Sequence, residues 1–139
     1  MIVYKSDKRG FIDDVARHDI EELILDRMRS KGKGAAASEI LAWRNSLTSI
    51  SKVLHDDAIP ADTGVAIEYG IPSTSKRVDI VLTGRDESAR MAAVIVELKQ
   101  WESVERTDLD GVVRARFRTG VHQVSHPSYQ AWSYAELLR

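Results

Sequence analysis

The chain has 139 residues, 43% hydrophobic and 29% charged, with no cysteine and a formal net charge of −1. That balance fits one soluble globular domain with a sizeable core, and it excludes a disordered chain, a disulfide scaffold and a thiolate metal site. The near-neutral total gives no overall electrostatic sign of a nucleic-acid binder, so any such surface has to be local.

The expected organisation is a single domain over residues 1–139, with a helical part over 1–57 and a strand-rich core plus a final helix over 63–139. From Ser6 to about Leu54 the periodicity is helical. Ile20, Leu23, Ile24 and Met28 recur at steps of three and four, as on one helix face. Lys31-Gly32-Lys33-Gly34 is the expected stop, and Ser38 the expected N-cap of the next helix. That helix carries Ile40, Trp43, Leu47, Ile50 and Leu54 on one stripe, with Trp43 in the core. His55 to Pro60 breaks the pattern.

Strands are predicted over Val65–Tyr69 and Arg77–Thr83, joined by the turn chemistry of Gly70 to Ser75. Arg85 to Ser88 forms a polar turn into a third strand, Ala92–Gln100, apolar enough to be buried on both faces. Val113, Ala115 and Phe117 alternate with Arg114, Arg116 and Arg118, a short strand with one basic face. The last helix starts at Pro127 or Ser128, where the missing N–H of proline does no harm. No apolar run reaches membrane-spanning length and the N-terminus lacks a signal-peptide core, so the expectation is a cytoplasmic protein without a membrane partner.

The chemistry concentrates at Val94-Ile95-Val96-Glu97-Leu98-Lys99-Gln100. On a strand Glu97 and Lys99 point to one side. An ionised group buried without partners costs several kcal/mol, roughly, so two of them at the end of an apolar strand point to a use. Asp79 is likewise a lone acid inside the apolar stretch Val78 to Leu82. If the two strands are neighbours, Asp79, Glu97 and Lys99 converge at one end of the sheet. Two carboxylates with the backbone carbonyl of Leu98 and waters suit Mg²⁺ or Mn²⁺. Such a site hydrolyses phosphoryl esters, with Lys99 orienting the nucleophile or stabilising negative charge. The competing reading pairs these acids structurally with Arg77 or Lys99.

An Asp on one strand followed by Glu-x-Lys on the next resembles the PD-(D/E)xK nuclease superfamily, with Val78 in place of the proline. Gln130-Ala131-Trp132-Ser133-Tyr134 matches the Gln-x-x-x-Tyr of its RecB-like branch, and residues four apart share one helix face. The resemblance implies an α/β, restriction-endonuclease-like three-layer core, a central mixed sheet flanked by helices. It implies catalytic roles for Asp79, Glu97, Lys99, Gln130 and Tyr134, with Asp79, Glu97 and the Leu98 carbonyl holding Mg²⁺ or Mn²⁺. Glu68 is either a further acid or a plain surface-strand glutamate; in many relatives that acid comes from the N-terminal helix, where Glu21 or Glu22 would serve. The superfamily core has one more strand after the last helix, so an open sheet edge or a strand lent by another chain is expected, which leaves room for a homo-oligomer.

The segments Ala42 to Leu47, Val65 to Tyr69, Lys76 to Asp79 and His126 to Tyr134 are similar to the N-terminal nuclease-like part of large bacterial proteins that continue into a helicase-like ATPase. This likeness implies nucleic acid, DNA ahead of RNA, and that ATPase region as partners. No phosphate-binding Gly-x-x-x-x-Gly-Lys-Ser/Thr loop occurs in these residues. The alternative from another class is an inactive nuclease-like fold that binds nucleic acid or docks a neighbouring domain. Lys76, Arg77, Arg114, Arg116 and Arg118 are the candidate phosphate contacts, the competing reading of the last three being a solvated edge strand guarded by charges. His126 is expected to cap the last helix, Trp101 to pack at a boundary, and Trp132 to pack against the sheet.

Overall fold

The structure, a computed structural model, describes residues 2–17, 19–30, 32, 34 and 37–138, with the backbone alone for 37–39. Contacts divide the chain into two compact units, Met1–Val96 and Glu97–Arg139. Among the described residues no helix is long and apolar enough to cross a membrane.

The first unit opens with a strand that the sequence pattern does not announce, β1 (Tyr4–Asp7). Asp7 then turns the chain into α1 (Lys8–Ala16): its backbone is extended and its carboxylate accepts from the Gly10 N–H at 2.8 Å. A cap of this kind is worth about 1 kcal/mol. The helix α2 (Ile20–Arg29) places Glu21 and Glu22 in its first turn and Arg27 and Arg29 in its last, complementing its dipole. Ile20, Ile24 and Met28 are buried as expected, but Leu23 is exposed, so the apolar stripe is narrower than its spacing suggests. The expected stop falls partly on Lys31 and Lys33, outside the described residues; Gly32 has the left-handed backbone of a helix-ending glycine.

The third helix, α3 (Ala37–Leu54), contains Ser38 within its first turn, with that side chain outside the described set. Leu47 and Leu54 are buried, while Trp43 is only half-buried. No pattern marks Lys8, yet it is buried, and its ammonium donates to the carbonyls of Asp56 at 2.8 Å and Ile59 at 2.7 Å. It thereby ties α1 to the segment that breaks the helical pattern after α3.

The sheet of this unit has the order β1-β2-β3-β4, with β2 (Gly64–Gly70), β3 (Arg77–Arg85) and β4 (Met91–Val96). Every pair is antiparallel, where a mixed sheet was expected. The β2–β3 hairpin forms as predicted, closed by the Ile71 N–H on the Lys76 carbonyl at 3.0 Å. The alternating residues Val65, Ile67, Val78 and Ile80 are buried, as are Phe11, Ile20, Ile24, Leu47 and Leu54.

Two expectations about the third predicted strand are corrected. It ends at Val96, so residues 97–100 are irregular and the Glu-x-Lys motif lies beyond the strand. It is also the edge of its sheet: Met91 is 73% and Val94 58% exposed. A run of β-branched and small apolar residues reads alike for a central strand and for an edge, and only pairing separates them.

The second unit holds an antiparallel sheet of order β5-β6-β7, formed by β5 (Ser103–Arg106), β6 (Val112–Phe117) and β7 (Gly120–Ser125). The predicted basic strand is β6, and it is central; β5 and β7 were not anticipated. Val113 and Ala115 are buried, and Arg114 and Arg116 exposed, in the expected alternation. The last helix is α4 (Pro127–Leu137), opened by His126, whose Nδ1 accepts from the Ser128 N–H at 3.1 Å. Trp132 does not pack away as expected, being 56% exposed. Trp101 meets Phe117 edge-on, with ring centroids 6.3 Å apart.

Candidate active site

In the first unit the rungs Ile67↔Ile80 and Tyr69↔Val78 bracket Glu68 and Asp79, which are not themselves paired in the β2–β3 ladder. Strand alternation puts Asp79 on the face opposite its buried neighbours Val78 and Ile80. Glu68 has φ of 53°, a left-handed backbone that a non-glycine residue rarely adopts, and the ladder is interrupted there. Its carboxylate accepts from Arg77 Nη1 at 2.7 Å. The ladder between β3 and β4 ends on the pair Ile80↔Val96. Of the two helix acids, Glu21 is the buried one: Oε1 accepts from Arg44 Nε at 2.7 Å, and Oε2 has no hydrogen-bond partner among the described residues.

In the second unit four of the predicted residues meet. Lys99 Nζ donates to Glu97 Oε1 at 2.5 Å and to Gln130 Oε1 at 3.1 Å. Gln130 Nε2 donates to the same Glu97 oxygen at 2.5 Å and to the Tyr134 hydroxyl at 2.8 Å. The Glu97–Lys99 contact fulfils the expectation that these side chains share a side, although residues 97–100 are not strand. Gln130 and Tyr134 are one turn apart on α4, and Tyr134 is buried. The helix owes its position in this unit to local bonds: the His126 cap, and the His126 N–H on the Gly111 carbonyl at 2.8 Å.

This network has a definite chemical logic. An amide offers two N–H donors, and those of Gln130 go to Glu97 and Tyr134 while its oxygen accepts from Lys99. The amide is therefore a clamp that fixes the carboxylate and the ammonium against each other. An ammonium has three donors; two are directed at Glu97 and Gln130, which leaves a third for an incoming anionic oxygen.

The expected phosphate contacts fall in both units. Arg77 is engaged with Glu68, and Lys76 is exposed at the start of the hairpin's second strand. Arg114 and Arg116 lie on one face of the second sheet, with Arg118 in the turn after β6; Arg114 also approaches Glu105 at 3.6 Å. Leu98 lies between the two charged motif residues in the irregular segment.

Sequence reasoning missed the strained backbone of Glu68, since nothing in Ile67-Glu68-Tyr69-Gly70 distinguishes it from an ordinary strand end. It also missed an aromatic groove on α4, for which the spacing of Tyr129 and Trp132 was an available signal. Among the described residues no group of three or more His, Asp or Glu side chains lies close enough to hold a metal ion. The donor set itself, carboxylates with a backbone carbonyl and no sulfur, is of the kind that hard divalent cations take. No protein family, no curated protein and no solved structure matches this chain.

Proposed function

We propose that the chain is a nuclease-type module that hydrolyses nucleic-acid phosphodiester bonds with Mg²⁺ or Mn²⁺, acting on DNA ahead of RNA and belonging to a larger helicase-like protein. The observation that carries this reading is the Glu97–Lys99–Gln130–Tyr134 network, in which a glutamine 31 positions beyond Lys99 meets both members of the Glu-x-Lys motif. A Gln-x-x-x-Tyr pattern matched by chance has no reason to arrive there. Glu68 and Asp79 lie between the same two rungs of the β2–β3 ladder, and the left-handed Glu68 is the kind of backbone outlier that collects at functional sites.

In this reading Asp79, Glu97 and the Leu98 carbonyl would hold the ion, as the resemblance implies, with Glu68 as the additional acid and Glu21 or Glu22 as the helix-borne alternative. The ion supplies Lewis-acid chemistry, acidifying water and offsetting charge on a phosphoryl oxygen. Lys99 turns its remaining N–H to the phosphoryl oxygen or the attacking water, where it stabilises developing negative charge. Gln130 is a positioning residue that holds Glu97 and Lys99 in register, and Tyr134 fixes Gln130. Lys76, Arg77, Arg114, Arg116 and Arg118 contact phosphates without reading sequence.

The second reading is a nuclease-like fold that binds nucleic acid or a neighbouring domain without cutting. The near-neutral total charge of the chain leaves room for it. Cleavage of single-stranded and supercoiled DNA with Mg²⁺ or Mn²⁺ separates the two. The wild type is expected to cut, and Asp79→Ala and Lys99→Ala to lose activity by about 10²–10³-fold. Equal cutting by wild type and Lys99→Ala overturns the site assignment. Metal-independent DNA binding with no cleavage establishes the second reading.

A further inference from the structure

The sheet of the first unit has an open edge at β1. The pairs Tyr4↔Ile67, Lys5↔Ala66, Ser6↔Val65 and Asp7↔Gly64 join β1 to β2, and no described strand pairs with its other side. In an antiparallel ladder alternate residues exchange hydrogen bonds with the partner strand. The Lys8 N–H bonds the Thr63 carbonyl at 2.8 Å and continues this register. Tyr4 and Ser6 therefore turn their backbone groups to β2, while Lys5 and Asp7 turn theirs to the open edge.

A groove of about 510 Å³ is walled by β1, by Asp14 of α1 and by Leu23 and Arg27 of α2. Ile2 and Leu23 bring apolar surface to it, 37% and 41% exposed. Tyr4 is fixed in its wall: the ring meets Phe11 edge-on with centroids 6.2 Å apart, and the hydroxyl donates to Asp14 Oδ2 at 2.6 Å. The one acid of the groove is thus already bonded. Lys5 and Arg27 make no ion pair and no side-chain hydrogen bond among the described residues. Two unpaired cations against one engaged carboxylate favour an anionic occupant.

The backbone decides between anionic occupants. A nucleic-acid strand has no row of N–H and C=O groups to pair with Lys5, whereas an extended peptide does. A lysine on an edge strand deters indiscriminate pairing, and an acidic segment is the kind it admits. The helix sets the pattern. Leu23 and Arg27 are one turn apart on α2, about 5.4 Å of axis, and alternate side chains of an extended chain are roughly 6.6 Å apart. An aliphatic and an acidic residue two positions apart match that spacing.

We infer that β1 accepts an acidic, extended peptide segment of a partner protein as an additional strand in this groove, with an aliphatic side chain on Leu23 and a carboxylate on Arg27. The surface lies in the first unit and stands apart from the Glu97–Lys99 network, so it does not rest on the nuclease-type reading.

The test is a proton–nitrogen correlation NMR titration of the whole chain with a short synthetic peptide repeating valine, threonine, glutamate, threonine. The Lys5 amide proton is expected to move downfield as it gains a hydrogen bond, and the same peptide with lysine for glutamate is expected to bind far more weakly. Arg27→Glu should weaken binding about five-fold or more. Lys5→Pro, which an edge position with an outward N–H tolerates, should abolish it and keep the dispersed spectrum of a folded chain. No binding, equal binding of the lysine peptide, an unmoved Lys5 amide, or full affinity in Arg27→Glu overturns the inference. So does oligonucleotide binding that Arg27→Glu removes while no peptide binds, or self-association that Lys5→Pro removes while no peptide binds; these would assign the edge to nucleic acid or to a second copy.

Discussion

In the first unit Phe11, Ile20, Ile24, Leu47, Leu54, Val65, Val78 and Ile80 are fully buried side chains. In the second unit the described residues include only Val113, Ala115 and Tyr134 as buried positions, while Val104, Leu109, Val121, Tyr129 and Trp132 face solvent. The first unit therefore draws its stability from apolar burial, and the second from hydrogen bonds around Gln130 and along three short strands. The acids divide in the same way. Glu68 is held in a strained backbone beside an arginine, whereas Glu97 Oε1 accepts from both Lys99 and Gln130. The apolar surface that the second unit leaves outside its core is spread over β5, the turn after it, β7 and α4.

The largest expected effect is on the proposed function. Lys99 bonds both Glu97 and Gln130, and under the nuclease reading Lys99→Ala should reduce DNA cleavage about 10²–10³-fold while the circular dichroism spectrum stays that of a folded chain. A variant that unfolds instead would mean the ammonium is structural. Next comes the contrast between the units. Ile80→Ala should cost about 2–5 kcal/mol in urea unfolding, through lost transfer energy and a cavity. Tyr134→Phe, which removes the hydroxyl that accepts from Gln130, should cost about 0.5–1.5 kcal/mol. Similar losses for the two would erase the proposed division of labour.

A third measurement sharpens the account of the first unit through pH. Burial, and then the hydrogen bond from its hydroxyl to Asp14 Oδ2 at 2.6 Å, push the Tyr4 phenol well above its ordinary value. A group whose pKa is raised on folding contributes stability that is complete below its unfolded value and lost as pH climbs past it. The unfolded value is about 10. The wild type should therefore lose more stability than Tyr4→Phe as pH is raised from 9 to 11, roughly the window around that value. Parallel curves for the two proteins would show that the phenol is not held neutral by its surroundings.

How much of this was legible depends on range. The helices around Ile24 and Leu47, the β2–β3 hairpin, the basic face of β6 and the His126 cap arise from spacing or local side-chain chemistry, and a sequence carries both. The meeting of Glu97, Lys99, Gln130 and Tyr134 was legible as motif order, although the strand expected to present Glu97 and Lys99 ends before them. What escaped were features decided by partners distant in sequence. Whether Met91–Val96 is central or edge depends on a neighbour it lacks in the sheet. Lys8 is buried only because carbonyls some fifty positions away receive it. Trp132 has the composition of a core residue and an exposure fixed by what α4 does not cover.

The smallest effect is the most discriminating. A left-handed backbone costs an L-residue roughly 1–2 kcal/mol, and asparagine tolerates it best among non-glycine residues. The Glu68–Arg77 ion pair, with its guanidinium 43% exposed, returns at most about 1 kcal/mol. Glu68→Asn should therefore leave stability within about 1 kcal/mol of wild type, shifted upward if strain outweighs the ion pair. Glu68→Gln keeps the strain and removes the charge. If Glu68 is the additional acid, both variants weaken Mn²⁺ affinity and cleavage alike, while only the asparagine variant gains stability. That pattern would mark strain retained for function. Unchanged ion affinity and cleavage in both would reduce Glu68 to a turn residue and leave Asp79, Glu97 and Lys99 to carry the chemistry alone.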